Sequence, residues 1–269
     1  MKAFLYHLSY DFKTGIRDKT KLLMYYLFPL VFFALVGGIM TAVNPSFKDT
    51  MLPAMILFAV MSSTLLAHPG SFVHARETGV FRSYRINGVP SGSIIAVPVI
   101  GVAAHMAVVA AVIAVAGVRL YSGSPPASIA GFVAAGLLSY AAYAGLGVLI
   151  GVAAASDNAS MLIAQLIYIP SILLGGLMMP ASILPPALQR VSLLLPATHA
   201  MRVFESLGFS RPASAFPWLS GGVLAASILI SFVLSAVLFQ WDSRASQPGR
   251  KYYAALAVLA PYALAAAAG

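Results

Sequence analysis

The chain has 269 residues, 60% of them hydrophobic and only 9% charged, with a mean hydropathy of +0.91. An average soluble domain is roughly 45–50% apolar and roughly 25% charged, so these few charges cannot coat a soluble fold of this size. The composition is that of a polytopic membrane protein. Cysteine is absent, which excludes disulfides, iron–sulfur clusters and thiolate zinc sites. The net charge of +9 comes from 16 Lys and Arg against 7 Asp and Glu. No basic stretch outside the apolar spans carries interleaved aromatics, so this excess reads as a cytoplasmic face and no nucleic-acid partner is expected.

Residues 2–21 come first. Phe4, Leu8, Phe12 and Ile16 recur every four residues, while Lys2, Ser9, Lys13 and Arg17 take other faces. This pattern predicts an amphipathic helix lying on the inner leaflet with its cations near anionic headgroups. Six apolar stretches then reach the length of about 20 residues that a helix needs to cross about 30 Å of hydrocarbon. They cover 22–43, 51–69, 93–118, 127–155, 159–179 and 217–240. The first exceeds the roughly 7–15 residues of a signal-peptide core and lacks a small-residue cleavage site behind it, so it is expected to be a span. A seventh stretch, 252–268, is Ala-rich and interrupted by Pro261. It either crosses the membrane or lies in the interface.

Threading these spans puts eleven cations on one side: Lys2, Lys13, Arg17, Lys19, Lys21, Arg76, Arg82, Arg85, Arg244, Arg250 and Lys251. Five fall on the other: Lys48, Arg119, Arg190, Arg202 and Arg211. The richer side is expected to be cytoplasmic, with the N-terminus inside.

Two segments between the spans carry further information. Residues 71–91 form a loop far longer than the 4–6 residues needed to turn a chain. It holds Arg76, Glu77, Arg82 and Arg85 among Gly79, Gly88 and Pro90, with Arg82 and Arg85 at i,i+3 spacing. A short cytoplasmic helix built to touch a partner is expected there. Residues 180–216 are cut by Pro180, Pro185, Pro186, Pro196 and Pro212, leaving apolar helical pieces at 187–195 and 198–207. Each is about 15 Å long at 1.5 Å per residue, half a bilayer, and the pair fits a re-entrant hairpin shielded by protein.

Together these features resemble the ABC-2 type family of ABC transporter permeases over residues 2–240. Arg17-Asp18-Lys19 ahead of a span containing Phe28-Pro29 resembles the family's interfacial elbow helix and first span. Arg76-Glu77-Thr78-Gly79-Val80-Phe81-Arg82, followed by Pro90, resembles its Glu-x-Gly coupling loop. Gly175-Gly176, Pro180, Leu184-Pro185-Pro186, Leu188-Gln189 and Pro196 resemble its run from the fifth span into the external helices, the most specific of the three motifs. Asn87-Gly88-Val89 before Pro90 and the apolar tail after Lys251 depart from the family pattern.

The resemblance implies an all-α polytopic membrane fold. It comprises an elbow helix (1–21), a six-span transmembrane domain (22–240) with coupling loop 71–91 and external re-entrant helices 181–210, and a tail (241–269) that holds the possible seventh helix. It also implies a second permease, identical or not, two cytosolic ABC ATPase subunits, and an amphipathic cargo: a drug, a lipid or a lipid-linked glycan. Arg76, Glu77, Gly79, Arg82 and Arg85 become partner contacts. ATP and Mg belong to the partner, and this chain holds no cofactor.

The residues themselves agree on several exclusions. No G-x-x-x-x-G-K-[ST] phosphate loop occurs, and Leu219-Ser220-Gly221-Gly222, which imitates an ATPase signature, opens an apolar span. All seven acids (Asp11, Asp18, Asp49, Glu77, Asp157, Glu205, Asp242) fall at span ends or in loops, which argues against an ion-coupled transporter and an intramembrane aspartyl protease. The five histidines form no ligand pattern. His105, near the middle of the third span, is expected to be neutral and hydrogen-bonded between helices, with cargo contact and protonation-linked gating as the alternatives, and Gln165 in the fifth span could line the pathway. Gly147-x-x-x-Gly151 is expected to pack within the protomer, and Tyr25, Tyr26 and Trp241 to anchor at the interface. The leading reading is a non-catalytic permease subunit of an ATP-driven exporter in the cell membrane. The alternatives are an ATP-independent transporter or channel, and a membrane assembly or immunity protein.

Overall fold

In hydrocarbon a chain must satisfy its own backbone, and the apolar runs do so as helices. The computed structural model describes residues 2–179, 183–210, 217–241 and 250–268, and among these there are helices and no strands. The elements are α1 (Lys2–Arg17), α2 (Lys19–Val43), α3 (Phe47–Glu77), α4 (Val80–Ile86), α5 (Ser91–Tyr121), α6 (Ile129–Ala153), α7 (Asp157–Leu174), α8 (Pro186–Ser192), α9 (Pro196–Phe209) and α10 (Pro217–Leu238). A 3-10 stretch (Arg250–Leu259) continues into α11 (Ala260–Ala268). Six of them, α2, α3, α5, α6, α7 and α10, are long and apolar enough to cross a membrane.

Asp18 separates the first two helices. Its carboxylate accepts from the Thr20 and Lys21 N–H groups (2.9 and 3.2 Å), capping α2 and setting the elbow. The inner pair of the bundle is α3 and α6, whose most apolar windows are 83% and 67% buried, against 22% for α2 and α7. A Cβ on Gly147 would collide with the Thr64 carbonyl oxygen, and one on Gly151 would lie 2.8 Å from that of Pro69. The glycine pair therefore brings α6 against the backbone of α3 within one protomer. Ser62, Ser63 and Thr64 stand in this contact with their hydroxyls donated to the Ala59 and Val60 carbonyls, which leaves no demand on the apolar surroundings. The outer helices turn apolar stripes outward, such as Val31, Leu35, Ile39 and Val43 on α2 and Leu162, Leu166, Ile169 and Leu173 on α7. Wide π turns at Leu23–Leu27 and Ser62–Ala67 precede Pro29 and Pro69, whose rings lack the N–H that a regular turn would use.

The structure differs from the sequence expectation at the second span, which continues as helix through Glu77 instead of ending near residue 69. Hydropathy stops where His74, Arg76 and Glu77 begin, but helical hydrogen bonding does not. At 1.5 Å per residue α3 is about 46 Å long and outreaches about 30 Å of hydrocarbon, so its end projects as a stub.

At the opposite end, α8 and α9 begin with prolines in the first turn, where no N–H is missed. The α9 face of Ala197, Ala200, Val203 and Phe204 is buried against α3, α6 and α10. A Cβ on Gly131 would collide with the Leu207 carbonyl oxygen, so the hairpin sits tight on α6. These helices fall within a few residues of the expected pieces. Pro180, Arg211 and Arg244 lie outside the described residues.

The C-terminal segment returns along α10, with Tyr262 and Ala265 packed on Val223. Its 3-10 and α portions together extend about 33 Å at about 2.0 and 1.5 Å per residue, close to the hydrocarbon thickness. Tyr253, Leu256, Leu259 and Leu264 are exposed along it.

His199 stitches hairpin, α10 and tail together. Its Nε2–H donates to the Leu193 carbonyl (2.8 Å), its Nδ1 accepts from the Ser220 hydroxyl (3.2 Å), and its ring lies 5.7 Å from that of Tyr262. Burial holds this imidazole below its ordinary pKa; the Leu193 carbonyl opposes the shift and Arg202 adds to it. An unfolded chain takes up this proton near pH 6.5 while the folded one resists, so the stability involved is present above that value and lost as pH falls below it. Thermal unfolding in detergent is expected to drop between pH 7.5 and 5.5, and His199→Gln is expected to flatten that dependence. An unchanged pH slope in the variant would contradict the assignment.

Candidate functional site

The charged segment singled out by the sequence forms one platform at the projecting end of α3. Gly79 ends that helix with φ +78, a left-handed turn that favours glycine, while a Cβ there would meet nothing within 4 Å. Its requirement is one of backbone conformation. The chain then reverses into α4, anchored by buried Phe81, whose ring lies 6.1 Å from Phe72 and 5.2 Å from Phe239. Glu77, Arg82, Arg85 and the apolar Val80 and Ile86 are exposed, giving a mixed ionic and apolar surface fit for a protein partner.

Arg76 goes the other way. Its place in the motif predicts a partner contact, yet it is only 4% exposed. Its Nη1 donates to the Val152 carbonyl (3.0 Å) and its Nη2 to that of Ala154 (2.5 Å). Those oxygens are at the C-terminal end of α6, where the last carbonyls of a helix lack intrahelical partners and the macrodipole favours a cation. The following turn is held on its other side, because Asp157 packs so closely on α3 that a Cβ at Gly70 would lie 2.6 Å from its Oδ1. The stub, the end of α6 and the start of α7 are thereby one joint.

Beside this joint lies a cavity of about 150 Å³, bounded by Lys21, Tyr25, His68, Phe81, Tyr84 and His105. His105 connects three elements here. The Tyr26 hydroxyl lies 2.7 Å from its Nδ1, Phe12 stacks on its ring at 4.5 Å, and Gly15 leaves room for its Nε2. The elbow helix is therefore docked on α5 through a histidine that also bonds α2. Tyr25, at 4% exposure, is buried in this joint and so departs from the interfacial anchor expected of it, and the half-buried Tyr26 bonds into the same joint. Gln165 lies half-buried on α7, away from this cavity, so the structure does not bring His105 and Gln165 together. Among the described residues no group of three His, Cys, Asp or Glu is arranged to hold a metal ion.

The sequence profile of the ABC-2 type transporter family matches residues 2–209, from the elbow helix through α9. The chain belongs to this family. Comparison with curated proteins and with solved structures returns no match. As an ABC-2 type transporter the chain is a multi-pass membrane permease, and membership implies association with ABC ATPase partners in general. In this permease α1 docks through His105, and residues 71–91 form the end of a helix, a glycine turn and a second helix, with Arg76 bonded to the end of α6. Sequence reasoning missed that bond. A signal existed, since Phe72, Val73 and Arg76 share one helical face, which becomes the buried one once α3 is extended past residue 69.

Arg76→Ala leaves two carbonyls at the end of α6 without their charged donor. Bonds to charged groups contribute about 1.5–3 kcal/mol, so unfolding in detergent is expected to weaken by that order. Arg76→Lys is expected to recover only part of it, for want of a forked donor, while exposed Arg82→Ala stays within about 0.5 kcal/mol of wild type. Equal stability of all three variants would contradict the assignment of Arg76 as an internal tie.

Proposed function

We propose that this permease is the transmembrane subunit of an ATP-driven exporter, paired with a second permease and docked to two separate cytosolic ATPase subunits. The observation that supports this most is the stub itself: Glu77, Arg82 and Arg85 exposed on a short helix that is fixed to the bundle by Phe81 and Arg76. A segment meant only to turn the chain needs neither the length nor the anchorage. ATP and Mg bind on the partner, and closure of two ATPase subunits displaces the stub. The displacement passes to α3, of which the stub is a continuation, and through Arg76 to α6, so the innermost pair of helices moves together.

In this reading the stub and the N-terminus are cytoplasmic and the membrane is the cell membrane. The excess of Lys and Arg assigned to that side supports the orientation. Apolar helices with few polar groups suit an amphipathic cargo, whether drug, lipid or lipid-linked glycan. Gln165, half-buried between exposed Leu162 and Leu166, is assigned to the pathway, whereas His105 is assigned to the elbow joint.

Purified together, the permease and its ATPase subunit are expected to form a 2:2 complex that couples ATP hydrolysis to flux in proteoliposomes. Glu77→Lys and Arg82→Glu are expected to abolish assembly or coupling without changing the permease's own unfolding, and Gln165→Leu to lower flux with the complex intact. Full assembly and transport in both charge-reversed variants would overturn the docking role. Flux driven by an ion gradient with no ATPase present, or partner binding with no flux at all, would overturn the exporter reading.

A further inference from the structure

Far from the stub, α5 and α6 enclose an apolar groove. The two helices are tied at one level, where the Tyr140 hydroxyl donates to the Val99 carbonyl (2.5 Å). From that tie toward Arg119 a groove of about 600 Å³ opens between them. Ile56 and Val60 of α3 form its back, Ala107 and Ala110 of α5 leave space on one wall, and Phe132 and Leu137 of α6 form the other. Arg119, exposed in the last turn of α5, stands at its mouth beside Pro126.

Water is a poor occupant, because a buried water needs two to four polar partners and the walls present almost none. The groove's rim is apolar and exposed at Val115, Ile129, Val133 and Leu137, a surface that suits contact with hydrocarbon. From Ile129 to Tyr140 the α6 wall is about 16 Å long at 1.5 Å per residue, close to the roughly 15 Å of one leaflet in a core of about 30 Å. Along α5 the lining from Ala103 to Arg119 runs about 24 Å, so the groove is long enough for an acyl chain, apolar along its length, and carries at its mouth a guanidinium, whose planar fork matches a phosphate.

We propose that the groove holds an acyl chain of an anionic phospholipid whose phosphate rests on Arg119. The lipid belongs to the leaflet on the α8–α9 side, which is the outer one in the orientation proposed above. It is a resident of the permease, located at the opposite end from the Arg76 joint.

The test uses the permease alone, so that its outcome is independent of ATPase docking. Wild-type protein in nanodiscs of equal phosphatidylglycerol and phosphatidylcholine is transferred to mild detergent, and retained lipid is counted by native mass spectrometry. At least one phosphatidylglycerol per protomer is expected, with several-fold preference over phosphatidylcholine. Arg119→Gln is expected to remove the preference while keeping a bound lipid, and Ala110→Phe to remove both by filling the groove. Leu137→Trp, a change at an exposed position that is safer for folding, is expected to lower retention as Ala110→Phe does. Wild-type protein without retained lipid, equal retention of both headgroups, or undiminished retention in Leu137→Trp would overturn the proposal.

Discussion

The permease depends on a cation placed where two helices end. Arg76 reaches out of α3 to the carbonyls of Val152 and Ala154 at the foot of α6. A buried guanidinium is costly unless its donors are used, and the end of a helix supplies acceptors that would otherwise be unmet. The two Nη groups meet those acceptors, and the pairing adds the favourable field of the helix dipole. The consequence is mechanical. The projecting part of α3 cannot swing freely as a lever on a hinge, because its last turn is bonded to the neighbouring span.

Packing in the membrane reinforces that joint. Gly147 and Gly151 let α6 approach the backbone of α3 at Thr64 and Pro69, and the hydroxyls of Ser62, Ser63 and Thr64 fold back onto their own helix. Close backbone approach gives van der Waals contact, and these three hydroxyls are paired within their own helix. The inner pair is therefore locked along its length, while α2 and α7 present apolar stripes outward. Three joints built on charged or histidine side chains tie the helices together: Arg76 at the stub, His105 part-way along α5, and His199 on the α8–α9 side.

Much of this was legible in the sequence. Apolar runs of the required length located all six spans, the four-residue recurrence of Phe12 and Ile16 located the elbow helix, and the prolines at 186 and 196 located the starts of α8 and α9. That Glu77, Arg82 and Arg85 face outward was also legible, because charged side chains beyond an apolar span are rarely buried. The direction of Arg76 was not. Hydropathy cannot tell a helix that stops from one that continues as a polar stub, and the acceptors are backbone oxygens, which carry no sequence signature. Tyr25 departs from its expectation for a related reason. An aromatic at a span end is usually an anchor, and only the docking of α1 on α5 turns it and Tyr26 toward His105. Tertiary contact decided both cases.

The central claim, that the stub and the foot of α6 move as one body, is best tested by distance. The chain has no cysteine, so spin labels can be placed at will. Cysteines substituted at exposed Ile86 on α4 and exposed Ala155 just beyond α6 report the separation directly by pulsed electron resonance. In the assembled transporter a single narrow distance is expected, the same with and without trapped ATP, broadening only when Arg76 is replaced by Ala. A wild-type separation that changes with nucleotide state would contradict the account.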